Sequence, residues 1–296
     1  RPEGEKRQID QNLCNKDMSC LTGFCPSFVT VHSRADTSTQ ILNQRPAFPK
    51  NLKLPTPPAK HYEICNIFIA GIGGTGVSTL SGILVMAARI DGIAGTAVNQ
   101  TGLSQKNGGV TSQVRLKRNG SLANHMVRLP TYEATLLIGC DAVVAANDMA
   151  LNLLNKVASH AIINDNIDPV GVAGVGIGSI VDMSVVMSRL GAVMDPARVT
   201  RFAISSLANN LLGSTTSSAI IMLGWALQKG LIPLNIDAVE TALRLNGTAI
   251  NDNLAALKWG RLLAHDPSQV FACVRTTADG DQNTTVLTNP EDAIVY

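Results

Sequence analysis

Gly71-Ile72-Gly73-Gly74-Thr75-Gly76 is a stretch of this 296-residue chain whose residue types and spacing could bind a phosphate. Gly71, Gly73 and Gly76 satisfy G-x-G-x-x-G. They follow the apolar, β-rich run Ile64 to Ala70 and precede Val77, Leu80, Ile83, Leu84 and Ala87 at helical spacing. Strand, glycine loop and helix in that order turn bare N–H groups and the positive end of a helix toward an anion, a phosphate above all. The same glycines equally serve a tight turn with close helix–strand packing and no ligand. A nicotinamide site would also place Asp or Glu at the end of the second strand, where Asn99 and Gln100 stand, with Asp91 ahead of the strand. No Lys-Ser/Thr follows Gly76, so this is not a Walker A loop. Thr101-Gly102-Leu103-Ser104-Gln105-Lys106-Asn107-Gly108-Gly109 leaves the second strand at its C-terminal end, the ligand edge of an open α/β sheet. Gln105 and Lys106 can donate hydrogen bonds to an anion there; the alternative is a surface loop with a solvated lysine.

Cys14, Cys20 and Cys25, the last followed by Pro26, gather three thiols within twelve residues. Thiolates so close can converge on a soft metal, and three readings stay open: an iron–sulfur cluster with an irregular spacing, zinc completed by His32, or free thiols. Cys65 and Cys140 lie in apolar strand contexts and read as small core residues, while Cys273 has no partner nearby. Six cysteines so dispersed are not a secreted disulfide framework, and a reducing cytoplasm is the expected setting. His32, His61, His125, His160 and His265 are scattered, without H-E-x-x-H, and no G-x-S-x-G elbow occurs. Trp225 and Trp259 sit among leucines and read as packing residues.

The elements that must position these groups follow from periodicity. Thr96 to Val98, Val110 to Leu116, Ala134 to Ile138 and Ala161 to Ile163 read as further strands, with a helix over Met149 to Val157. Runs apolar throughout imply strands covered on both faces, hence an α/β fold with a doubly wound, mostly parallel sheet. Helices are then expected from Asp195-Pro196 to about Leu212, Ser218 to Lys229 closed by Gly230, Ile236 to Leu245 capped by Asn235, and Ile250 to Ala264. Before the sheet, residues 1–32 form a Cys-bearing segment. Residues 33–60, with Pro46, Pro49, Pro55, Pro57 and Pro58, read as an extended, solvated linker. Residues 61–266 form the α/β domain, and residues 267–296 read as a polar tail. The polar start, without Met or an apolar leader, suggests a piece of something longer.

With 45% hydrophobic residues the chain is expected to be globular, and at 16% charged its surface has few ionisable groups, which suggests cover by other domains or by copies of itself in a homo-oligomer. No apolar run is long enough to span a bilayer. A net charge of +2 and 4% aromatics leave little to track or stack on a nucleic acid.

Several stretches together resemble one family. Residues Arg7 to Val31, with Cys14-Asn15-Lys16-Asp17, Ser19-Cys20 and Gly23-Phe24-Cys25-Pro26, resemble the iron–sulfur segment of long, fused indolepyruvate ferredoxin oxidoreductases. The loop Gly71 to Gly76, Thr101 to Lys106, and Leu223-Gly224-Trp225 to Pro233 resemble the γ-type domain of the wider 2-oxoacid:ferredoxin oxidoreductase family. Leu245-Asn246-Gly247, Trp259-Gly260-Arg261 and Ala264-His265-Asp266-Pro267 look like the fused indolepyruvate branch. The resemblance implies oxidative decarboxylation of an aryl 2-oxoacid to an acyl-CoA. Thiamine diphosphate with Mg2+ would form the carbanion, coenzyme A would accept the acyl group, and [4Fe-4S] clusters would pass single electrons to ferredoxin. It makes Cys14, Cys20 and Cys25 cluster ligands. It makes Gly71, Gly73, Gly74, Gly76, Thr101, Gln105 and Lys106 the cofactor-side loops, packed against a thiamine-binding domain or subunit. A Gly-Asp-Gly thiamine signature with a downstream Asn pair is missing, so the chain is expected to be inactive alone. A nicotinamide-binding reductase and a non-catalytic electron-transfer or scaffold subunit are the competing readings.

Overall fold

Strand β1 (Ile64–Ile72) is apolar at almost every position because it runs through the middle of a sheet covered on both faces. The computed structural model describes residues 45–49, 52–58, 63–101, 109–123, 126–166 and 182–278. Cys14, Cys20, Cys25, Gln105 and Lys106 lie outside them.

Helix α1 (Val77–Ile90) follows β1 and leads to β2 (Ala94–Thr101), which turns back as β3 (Gly109–Lys117). Next come β4 (Leu136–Gly139), the short helices α2 (Ala142–Ala145) and α3 (Asp148–Leu153), and β5 (His160–Asn164). Then follow α4 (Met183–Val193), β6 (Val199–Phe202) and α5 (Ile204–Leu212). The chain continues through α6 (Ser218–Gln228), α7 (Ile236–Asn246), α8 (Ile250–His265) and α9 (Pro267–Ala278).

The sheet order is β2-β3-β1-β4-β5-β6. β3 is antiparallel to both β1 and β2, and β4, β5 and β6 add in parallel on the other side of β1. All strands but β3 therefore point one way, as the doubly wound, mostly parallel reading requires. β1 sends the chain to one side through α1, and β4 lies on the other side, so the sheet reverses its winding beside the glycine loop.

Alternate residues of β1 face two cores. Ile67 and Ile69 meet α1 and the α5–α9 helices, whereas Phe68 and Ala70 meet α2, α3 and α4. α6 is buried along its whole length. It lies against α8 so closely that a Cβ on Gly224 would sit 2.3 Å from the Leu257 carbonyl oxygen, and one on Gly260 would sit 2.0 Å from that of Ile221. Only glycine at both positions lets these backbones touch.

Several expectations are corrected. The helix expected from Asp195-Pro196 to Leu212 is a 3-10 turn, Pro196–Arg198, then β6, then α5, because Val199 to Phe202 pair with Ala161 to Asn164. The helix over Met149 to Val157 is shorter and ends at Leu153. Asn235 makes no side-chain cap; its N–H and Nδ2 instead donate to Asp91 at 2.6 and 2.8 Å. The polar tail from 267 begins as α9, which buries Val270, Phe271 and Val274.

The described part of the 33–60 linker is docked on the domain, where a solvated segment was expected. Phe48 meets Trp259 edge-on at 5.0 Å, and Leu52 and Leu54 pack on the core. The Pro55 carbonyl accepts from Gln228 Nε2 at 2.9 Å and from the Arg261 guanidinium at 3.3 Å.

Candidate functional site

The C-terminal ends of the strands bring the glycine loop, Cys140-Asp141, Asn164 to Asn166 and the start of α5 to one edge. Ile72 is followed by a turn in which the Thr75 N–H and hydroxyl both return to the Ile72 carbonyl, at 3.1 and 2.8 Å. Gly74 and Gly76 have φ of 96° and 84°, the left-handed region that glycine enters without strain. Gly76 is the N-cap of α1, no side chain caps that helix, and Ser78 and Thr79 of its first turn are exposed. Gly71 has a different role. A Cβ there would lie 2.3 Å from Thr75 Oγ1 and 2.8 Å from Val77 Cγ2, so it is a packing glycine. Gly73 is partly covered, and Thr101 ends β2 in the open.

Asn164, at the end of β5, organises the opposite wall. Its Nδ2 donates to the Cys140 carbonyl at 3.2 Å and to Ser205 Oγ at 2.8 Å, and its Oδ1 accepts from the Ser205 N–H at 3.2 Å. Asn166 repeats the pattern on Ser206, at 2.9 and 3.1 Å. Two asparagines from the strand end thus cap α5, whose own N-cap residue, Ala203, has no side chain to do so. Between them Asp165 faces the Arg201 guanidinium at 3.5 Å.

Gly74, Thr75, Cys140, Asn164, Ser205, Thr215, Thr216 and Ser218 enclose a crevice of about 30 Å³. That is room for about one water, against several hundred Å³ for a small-molecule site. Burial, with the neighbouring Asp141 charge second, pushes the Cys140 thiol up to about 12, so it is neutral and not nucleophilic. Burial likewise raises the Asp141 carboxyl, against the pull of the Val144 and Val143 N–H groups; its Oδ1 accepts from Val144 at 2.8 Å and caps α2. The crevice is polar, uncharged and satisfied by its own hydrogen bonds. Among the described residues no group of three or more His, Cys, Asp or Glu can hold a metal.

The expected residues are therefore only partly brought together. Gly73, Gly74 and Gly76 share the edge with Thr101, and the stretch 102–108 that carries Gln105 and Lys106 joins β2 to β3 there. Asn99, at the position of a nicotinamide acid, accepts from Ser81 Oγ at 2.9 Å. Asn164, Asn166 and Ser205 were missed; Asn164-Asp165-Asn166 directly after an apolar strand was the signal available. The later family-like motifs are structural: Gly224 and Gly260 join α6 to α8, Arg261 Nε holds Gln228 Oε1 at 2.9 Å, and Gly247 closes α7.

Residues 66–263 match the pyruvate ferredoxin/flavodoxin oxidoreductase family, and the chain belongs to it. It is a component of a 2-oxoacid:ferredoxin oxidoreductase. It is similar to the indolepyruvate oxidoreductase subunit IorB of Archaeoglobus fulgidus, 26% identical over 197 residues, which are 66% of this chain and 92% of that subunit. Among solved structures it is similar to the pyruvate oxidoreductase subunit PORC of Thermotoga maritima (TM-score 0.49, 15% identity, 68% of this chain and 96% of that one). The γ subunit of a keto/oxoacid ferredoxin oxidoreductase from Geobacter sulfurreducens is another (TM-score 0.47, 17% identity, 68% and 98%). A third is the 2-oxoglutarate:ferredoxin oxidoreductase of Magnetococcus marinus (TM-score 0.49, 13% identity, 69% and 32%).

Proposed function

We propose that the chain is the γ-type component of an indolepyruvate-like, aryl 2-oxoacid:ferredoxin oxidoreductase. The observation that carries the reading is the alignment with the indolepyruvate oxidoreductase subunit over 92% of its length. In such an enzyme thiamine diphosphate supplies the electron sink for decarboxylation, iron–sulfur clusters remove electrons singly, and coenzyme A takes the acyl group. The crevice at the strand ends is water-sized and does not hold thiamine. Nor do the described residues supply a cluster site, since Cys65 and Cys140 are buried and their thiols are pushed up to about 12. The cluster role rests on Cys14, Cys20 and Cys25, and the thiamine and Mg2+ role on a partner domain or subunit. This chain's contribution is a rigid edge. The Gly73–Gly76 turn with the uncapped start of α1 and the Gln105/Lys106 loop contact the anionic parts of the partner's cofactor or of coenzyme A. Ferredoxin is the electron acceptor, the chain self-associates, and the enzyme works in the cytoplasm. No helix among the described residues is long and apolar enough to cross a membrane.

The test is reconstitution with a thiamine-binding component under anaerobic conditions, reading 2-oxoacid- and coenzyme A-dependent reduction of ferredoxin. Indolepyruvate and phenylpyruvate are expected to outpace pyruvate and 2-oxoglutarate, and the chain alone to show no turnover. Faster oxidation of pyruvate would remove the aryl assignment, and electrons appearing on a nicotinamide would remove the ferredoxin route. Iron and labile sulfide that disappear in Cys14→Ser/Cys20→Ser would support the cluster role, and zinc in their place would end it.

A further inference from the structure

Strand β2 ends the sheet on one side, and its outer edge is unguarded. β3 pairs with all eight residues of β2 without a bulge, so the N–H and C=O of every second residue point away from the sheet, and among the described residues no strand takes them. Exposed edges of this kind are ordinarily blunted by a charge, a proline, a bulge or shortness. The opposite edge, β6, is four residues long and carries Arg201. Ala94-Gly95-Thr96-Ala97-Val98-Asn99-Gln100-Thr101 has none of these devices, and no residue of it is buried. Beside it, α1 and β2 enclose a groove of about 800 Å³ whose floor is small: Gly82 on the helix, Gly95 and Ala97 on the strand. A Cβ on Gly82 would meet nothing within 4 Å, so the chain's own packing gives no reason for glycine inside this helix, where alanine is the better former. The rim is large and apolar, with Met86 37% exposed and Ile90, one turn on, 43% exposed.

We propose that a second copy of this chain docks here, β2 against β2 and antiparallel about a two-fold axis at Ala97, joining the two six-stranded sheets into one. Such an axis stands perpendicular to the sheet and keeps both α1 helices on the same face, flanking the junction. Hollow and knob lie side by side on one surface, so the two-fold sets the Met86 of each copy toward the Gly82 hollow of the other, the self-complementarity that an interface between identical copies requires. A parallel two-fold pairing would place the helices on opposite faces and leave both hollows empty. Charge agrees with the antiparallel arrangement. Arg89 is the one charged residue among those lining the groove, it lies at the Ala94 end, and antiparallel pairing sets the two Ala94 ends about 20 Å apart, well beyond the screening length of about 8 Å. Area agrees as well: the strand edge with its helix is about 27 Å long and about 20 Å high, so two copies would bury about 1,100 Å² together, above the roughly 1,000 Å² of a specific interface. The proposal rests on the self-association in the proposed function and names its surface; it uses neither the substrate nor the cofactors.

The test is sedimentation equilibrium of the whole chain, paired with hydrogen–deuterium exchange of the peptide that covers residues 94–101. The parent is expected to be a dimer, with exchange over that peptide about tenfold slower than in the monomer reached by dilution. Ala97 is exposed, so Ala97→Lys and Ala97→Glu are expected to leave circular dichroism unchanged. Each variant alone sets like charges across the axis and should be monomeric with fast exchange; the two mixed should restore both the dimer and the slow exchange. A parent that stays monomeric at high micromolar concentration would overturn the surface and the self-association together. A dimer that persists in both single variants, or whose exchange over 94–101 equals that of the monomer, would overturn the surface and leave self-association standing. Failure of the mixed variants to recombine would also overturn the surface.

Discussion

Asn164 grips Ser205 twice: its Oδ1 accepts the Ser205 N–H at 3.2 Å while its Nδ2 donates to the Ser205 hydroxyl at 2.8 Å. The end of β5 thereby supplies the cap that α5 lacks and fixes the helix start against the glycine loop's neighbours. Asn164→Ala is expected to cost about 1–2 kcal/mol and a few degrees of Tm. Asn166→Ala should cost about 1 kcal/mol, having no bond to the Cys140 carbonyl to lose. Urea unfolding of both variants checks the order, and an equal or larger loss at Asn166 would contradict it.

The two kinds of glycine in the loop should separate on substitution. Gly71→Ala drives a methyl into Thr75 and Val77 and is expected to cost about 1–3 kcal/mol. Gly76→Ala meets Ala219 only at 3.4 Å and pays for its backbone, about 1–2 kcal/mol. If the start of α1 receives an anion, phosphate raises the Tm of the parent chain and raises that of Gly76→Ala less. A parent Tm indifferent to phosphate would leave the turn a packing device.

Arg115 clamps the loop that joins β3 to β4. Its Nε donates to Asn66 Oδ1 at 3.1 Å and its NH1 to the Met126 carbonyl at 2.7 Å, while Asn66 Nδ2 donates to the Glu133 carbonyl at 3.0 Å. Arg115→Met leaves the buried Asn66 Oδ1 without its donor and is expected to cost about 2–4 kcal/mol. The Glu133 carboxylate is half exposed and 4.0 Å away, so Glu133→Gln should change stability by less than about 0.5 kcal/mol. Paired denaturation curves decide, and similar losses in the two variants would shift the credit to the ion pair.

Stability should fall with rising pH in two windows. Asp141 has a folded pKa above its unfolded one, so folding favours its protonated form. That contribution is complete at low pH and is lost as pH rises from the ordinary carboxylate range through the raised value. Asn keeps the capping oxygen without the buried charge, so Asp141→Asn should lack this step and match or exceed the parent at neutral pH. The Cys65 and Cys140 thiols, raised from 9.0 to about 12, add a second loss between those values and should resist alkylation until the chain unfolds. A parent curve flat across both windows would contradict the sign of these shifts.

β1, the glycine loop and α1 were legible because their signals are local: an apolar run, glycines at fixed offsets, then a 3.6-residue period. The same holds for α6 to α8. β6 was not legible. Asp195-Pro196 carries a proper cap signal and α5 carries none of its own, so the local pattern runs the two together. What separates them is pairing with β5 and capping from Asn164 and Asn166, contacts that span 41 and 40 residues. The docked part of the 33–60 linker shows the same limit: proline and polar composition reads alike in a solvated linker and in one held by Trp259, Gln228 and Arg261.

The sequence by itself determined the class of sheet, the place of the glycine loop and the family, since period, composition and motif are written along the chain. Only the tertiary structure decided that Gly71 packs while Gly74 and Gly76 turn, that asparagines at the end of β5 cap α5, and that residues 45–49 and 52–58 dock on α6 and α8. Each of those depends on which distant atoms come within hydrogen-bond or van der Waals distance, and that is settled by chain closure and packing, which no local pattern records.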